Sequence, residues 1–144
     1  MAQISTALID RVKRHEGFSP NPKQDGARWE IGYGHDINLP SDVQSPWVEE
    51  AASAQLTRDL NNAAYACTRQ FSWFGQLSAL RQEVMIEMVF QLGMDGVLKF
   101  SRMLMRLSNG DYAGAASEML LSKWRYETPA RCEELSEIMS TDNA

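Results

Sequence analysis

Apolar residues recur at helical spacing over most of this chain, and the spacing fails over one stretch near the N-terminus. Ile4, Leu8, Ile9 and Val12 share one face of a first helix that ends near His15, with Asp10, Arg11, Lys13 and Arg14 on its polar face. Val48, Ala52, Leu56, Leu60, Ala63 or Ala64, Cys67 and Phe71 mark a long helix. Its expected start is Ser45 as N-cap with Pro46 at the first position and acids at Glu49 and Glu50. No Pro or Gly interrupts from Val48 to Phe74. At about 1.5 Å per residue such a helix is roughly 35 to 40 Å long, enough to join two lobes.

Beyond Gly75 the pattern predicts shorter helices. Ser78 caps one that turns Leu80, Val84, Met85, Met88, Val89 and Leu92 inward and ends at Gly93. Gly96 to Leu107 and Tyr112 to Lys123 follow, and Pro129 opens a last helix through Leu135 and Met139. The methionines and aromatics of this half read as core packing.

The interruption runs from His15 to His35, HEGFSPNPKQDGARWEIGYGH. It holds the carboxylates Glu16, Asp25 and Glu30, four of the nine glycines and both histidines of the chain. Glu16 precedes Gly17 and so stands at a helix end. Asp25-Gly26 reads as a tight turn that pairs Phe18 to Gln24 with Arg28 to Tyr33, returning Asp25 and Glu30 towards Glu16. Asp36 to Gln44 is expected to be a loop.

Composition narrows the chemistry. With 144 residues and 44% hydrophobic content the chain suits one domain with a real core. There is no apolar run of about 18 residues, so no membrane span is expected, and the N-terminus lacks the pattern of a secretory signal, which points to synthesis in the cytoplasm. The net charge of −5 argues against nucleic acid as a partner. Cys67 and Cys132 lack metal-type spacing and read as reduced, buried thiols; with two histidines in the chain, no metal site is expected.

Each acid has both a chemical and a plain structural reading. Two carboxyl groups, one protonated and one ionised, are what glycoside cleavage requires. Glu16 could instead pair with Arg14 or Lys13 at the helix end, Asp25 could simply form the turn before Gly26, and Glu30 could face solvent or Arg28.

Several features in order make the chain resemble the phage-type lysozymes, the muramidase endolysins of tailed bacteriophages. They are Glu16-Gly17, Asp25 nine residues on, IGYGH from Ile31 to His35, and then NNAAYA, EMVFQLG, GDYAGAA and SKWRYETPARC. The resemblance spans nearly the whole chain. It implies a predominantly helical α+β fold in two lobes: an N-terminal lobe with a small antiparallel ribbon over residues 16–60, a connecting helix over 46–74, and a helical lobe of 70–144 that also takes in residues 1–13. It implies a glycoside hydrolase that needs no cofactor and acts as a monomer on the glycan strand of peptidoglycan, bound between the lobes. It also implies release from the host cytoplasm through a membrane pore made by another protein.

Carried over by position, Glu16 matches the family's proton donor and Asp25 its second catalytic acid. Arg131 matches the Arg that pairs with the catalytic Glu from the other lobe. Gly34, His35, Phe90 and Gln91 match supporting or substrate-binding positions, and His35 and Asp59 a structural pair. Glu30 departs from the pattern, because the family has Thr immediately before Ile-Gly, and the ribbon is one residue shorter here. Glu30 could activate water or attack the sugar. Two other readings stay open: a homologue that binds peptidoglycan without turning it over, and an acidic helical interaction protein with no sugar affinity.

Overall fold

Ser5 opens the first helix by accepting a hydrogen bond from the Leu8 N–H at 3.0 Å. The computed structural model describes residues 4–144; of these, 4–62 form one compact unit and 63–144 another.

In the first unit, α1 (Thr6–Glu16) buries Leu8 and Val12 and ends where Gly17, at φ +72°, donates its N–H to the Lys13 carbonyl. The chain then forms a three-stranded antiparallel sheet in the order β1 (Ser19–Asp25), β2 (Arg28–Gly32), β3 (His35–Ile37). Asp25 pairs with Arg28 around Gly26-Ala27, and Gly26 at φ +63° supplies the left-handed first position that a two-residue hairpin requires. β1 is an edge strand, which is where Pro20 and Pro22 can be tolerated; the register slips there, between Ser19 and Lys23.

Three expectations change in this unit. The segment expected as loop contains β3, whose Ile37 and His35 pair with Trp29 and Ile31 of β2, and a 3-10 turn at Pro40–Asp42. The long helix, α2, runs Glu49–Gln70 and does not start at Ser45-Pro46. Trp47 explains the delay, because its N–H bonds the Pro20 carbonyl at 2.8 Å and its ring stacks on His35, so the chain stays non-helical up to Val48. Finally, α1 belongs to the same unit as the sheet, where the resemblance groups residues 1–13 with the later helices. Lys13 supplies part of the reason, reaching Glu49 of α2 at 3.2 Å and lying over the Tyr33 ring.

At 22 residues α2 is about 33 Å long; it begins in the first unit and ends in the second. The second unit continues with a 3-10 turn at Phe74–Gln76, α3 (Ala79–Leu98), α4 (Ser101–Ser108), α5 (Tyr112–Leu120), α6 (Trp124–Glu127) and α7 (Pro129–Thr141). α7 packs against α3, α5 and α6. Gly93 breaks α3 at φ +74°, as expected of a stop signal. The helix expected over Gly96 to Leu107 is instead divided at Lys99-Phe100, and the one expected to reach Lys123 ends at Leu120. Met85, Met88, Met103, Met119 and Met139 are buried in this unit with Trp124 and Leu135, while Met105 is exposed. Cys67 and Cys132 are buried and unbridged, and burial pushes the Cys67 thiol up to about 12. Among the described residues no helix is long and apolar enough to cross a membrane.

Candidate active site

The first unit collects the three candidate carboxylates. Glu16 is the last residue of α1 and is half-buried. Its side chain lies against Gly34, in the turn between β2 and β3: a β-carbon on Gly34 would come within 2.6 Å of Glu16 Oε1 and 2.9 Å of its Cδ. Gly34 thus has a φ of +73° that favours glycine, and a side chain there would push the Glu16 carboxyl aside.

Glu30 sits in the middle strand, opposite Lys23 on one side and Asp36 on the other. It is 5% exposed, which sets it apart from an ordinary strand carboxylate. Burial raises its pKa above the usual carboxylate value, and the negative charges of Glu16 and then Asp25 raise it further; Lys23 and Arg28 pull the other way. The Lys23 Nζ lies 3.9 Å from Glu30 Oε1. Asp25, the last residue of β1, is exposed beside the hairpin turn. The electrostatic coupling thus joins all three acids around Glu30, the one buried member.

His35 opens β3. Its Nδ1 lies 2.8 Å from Asp59 Oδ2, and Gln55 Nε2 donates to the other Asp59 oxygen at 2.9 Å. The hydrogen bond to Asp59 raises the His35 pKa, burial opposes it, and the charges of Asp59 and Asp36 add to the rise. This pair ties the sheet to α2 and stands apart from the acid cluster in its chemistry.

Sequence reasoning missed a second tie. The Tyr33 hydroxyl donates to Glu49 Oε2 at 2.8 Å, the oxygen that Lys13 also holds, and the Phe18 ring lies 5.6 Å from that of Tyr33. Burial first, then the bond to Glu49, push the Tyr33 hydroxyl up to about 12. Tyr33 adjoins Gly34 and Lys13 lies one helical turn before Glu16, so the lock acts on both sides of the Glu16 contact. The alternation of IGYGH marked the glycines; nothing in it marked the hydroxyl's partner.

The remaining candidates lie in the second unit. Arg131 of α7 is buried, and its Nε donates to Glu87 Oε2 of α3 at 2.8 Å. Glu87 is fully buried, and its signal was a carboxylate inside the apolar run Val84 to Val89. Gln91 bridges two elements: its Oε1 accepts from Trp124 Nε1 at 2.9 Å and its Nε2 donates to Thr128 Oγ1 at 3.2 Å. The preceding Phe90 is half-buried on the same helix. Trp124 also lines a cavity of about 610 Å³, with Phe100, Met103, Glu118 and Lys123 among its walls. That cavity is in the helical unit, whereas Glu16, Asp25 and Glu30 are all in the other.

Comparison with known proteins adds an independent line. The model of the phage lysozyme family matches residues 13–137, which include every acid of the cluster as well as Arg131. The chain belongs to the phage lysozyme family. Among relatives, it is 32% identical over 122 residues to an endolysin of Acyrthosiphon pisum secondary endosymbiont phage 1, covering 84% of this chain and 79% of that protein. It is 27% identical over 111 residues to a probable T4-type lysozyme 1 of Dictyostelium discoideum, covering 75% of this chain and 65% of the relative. A probable T4-type lysozyme 2 of the same organism matches at 27% over 112 residues, with the same coverage.

Proposed function

We propose that this chain is an endolysin-type muramidase that hydrolyses the β-1,4 bond between N-acetylmuramic acid and N-acetylglucosamine in peptidoglycan. Glu16, in its protonated form, gives its proton to the leaving glycosidic oxygen. Glu30, ionised, serves the anomeric carbon, either by taking a proton from an attacking water or by attacking directly, and Asp25 adds negative charge from the end of the hairpin. The protein acts as a monomer, without a cofactor, and reaches the wall from the host cytoplasm through a pore that another protein makes. The observation that carries the reading is the placement of Glu16, at the end of α1 and packed on Gly34, in the same compact unit as the buried Glu30 carboxylate.

The test is the loss of turbidity of a cell-wall suspension, read together with circular dichroism. Glu16→Gln is expected to remain folded and to lose essentially all clearing, because an amide has no proton to give; substantial clearing by that variant removes Glu16 from the mechanism. A wall-binding protein without turnover would sediment with walls that neither protein clears. The role of Glu30 follows from Glu30→Gln and from the anomeric configuration of the first product by NMR. Inactivity of the variant with an inverted wild-type product makes Glu30 the base, and with a retained product makes it the nucleophile. Near-normal activity returns the second role to Asp25.

A further inference from the structure

The acid that departs from its family's pattern has a cation built opposite it. Lys23 and Glu30 are paired across the β1–β2 ladder, two rungs from the hairpin turn. Their side chains meet at 3.9 Å, Nζ to Oε1, with Lys23 about half exposed and Glu30 almost wholly enclosed. The charged groups around Glu30 come from every neighbouring element: Glu16 at the end of α1, Asp25 and Lys23 on β1, Arg28 on β2 and Asp36, its partner on β3. Arg28 is engaged at the outer edge, where its Nη1 lies 3.5 Å from Asp36 Oδ2. Lys23 thus lies within ion-pair distance of Glu30, facing enclosure and two like charges that favour the protonated acid.

A base or nucleophile must be ionised before it can act. We propose that Lys23 is a positioning residue of the reaction, whose ammonium, held across the hairpin rung, favours the ionised form of the enclosed Glu30 carboxylate and orients its Oε1. The proposal rests on the reading of Glu30 as the second catalytic group. It gives the β1 strand a function beyond carrying Asp25, and it pairs two features that belong together: a carboxylate placed in a buried strand position, and a lysine directly opposite to hold it there.

Two variants test it. Lys23→Met removes the charge and keeps the length, and Lys23→Arg keeps the charge; because the side chain is half exposed, both should fold. Two readouts are needed: the pH profile of kcat/KM on solubilised glycan strands, whose acidic limb reports the essential base of the free enzyme, and the carboxyl-carbon titration of Glu30 by NMR. Lys23→Met is expected to move both towards higher pH, with kcat/KM on the acid side lower by about tenfold and recovered as pH rises, while KM changes little. Lys23→Arg should restore both. An unmoved Glu30 titration in folded Lys23→Met overturns the proposal. A moved titration with an unmoved acidic limb overturns it too, and Glu30→Gln then locates the fault. If Glu30→Gln is active, the reading of Glu30 as a catalytic group has failed. If it is inactive, that reading stands and Lys23 does not govern it.

Discussion

Glu16 and Gly34 are packed so closely that a β-carbon at position 34 would stand 2.6 Å from Glu16 Oε1 and displace it. The contact joins the end of α1 to the turn between β2 and β3 and sets where the Glu16 carboxyl can point. Gly34→Ala is expected to displace that carboxyl and to strain a backbone held at φ +73°. The backbone cost is about 1–2 kcal/mol, so the protein should still fold. Activity should fall by about 100-fold, since small misplacements of a reacting group are that costly. A thermal melt alongside kcat checks the split; a folded Gly34→Ala enzyme of normal activity would show that the contact is not what positions Glu16.

Glu30 costs stability at neutral pH. Its folded pKa is raised above the unfolded value, so the folded state holds a proton that the unfolded chain has already released. Stability from this group is therefore greatest below the unfolded carboxylate pKa and is lost as pH rises through the raised folded one. Glu30→Gln should raise Tm at neutral pH, and the gain should vanish at acid pH. Calorimetry of the two proteins at pH 4 and pH 7 is the check, and an equal difference at both would contradict the assignment.

His35 has the same direction of shift with the opposite charge consequence. Bonded to Asp59, its pKa is raised, so the stabilisation it gives is fully present below the unfolded His value of 6.5 and disappears as pH rises through the folded one. Asp59→Asn should cost about 1–3 kcal/mol at pH 6 and less at pH 9. An imidazole titration of His35 at its ordinary position would contradict the pairing.

Arg131 and Glu87 should dominate the stability of the helical unit. Both are buried, and Glu87 is wholly so. Arg131→Met should destabilise by about 3–5 kcal/mol by removing one member of a buried ion pair, and adding Glu87→Met should recover much of the loss. Chemical denaturation of the single and double variants measures it. Additive losses would show that the two side chains are not coupled.

Some of this was legible in the sequence because it is local. Gly17 after Glu16, Gly26 after Asp25 and Gly93 in α3 each took the backbone conformation that their patterns implied. The start of α2 was not legible, because Ser45-Pro46 offered a sound local cap that Trp47 overrides through a carbonyl some twenty-seven residues earlier, at Pro20. β3 was hidden for a similar reason: three residues of strand carry no alternation of their own and form by pairing with Trp29, Glu30 and Ile31. The acids Glu16, Asp25 and Glu30 stood out as candidates, yet the burial of Glu30 did not, since its neighbours Arg28 and Asp36 both suggest a solvated face.

The three carboxylates also share a short stretch of chain, from residue 16 to residue 30, joined by one helix end and one two-residue hairpin. Contacts of such small sequence separation close early, hairpins in about 1–10 μs, well before distant helices dock. The acid cluster is thus assembled by the fastest-forming part of the molecule, and its mutual repulsion acts on the nascent hairpin itself. Removing one of these charges, as in Glu30→Gln, should therefore speed refolding of the sheet.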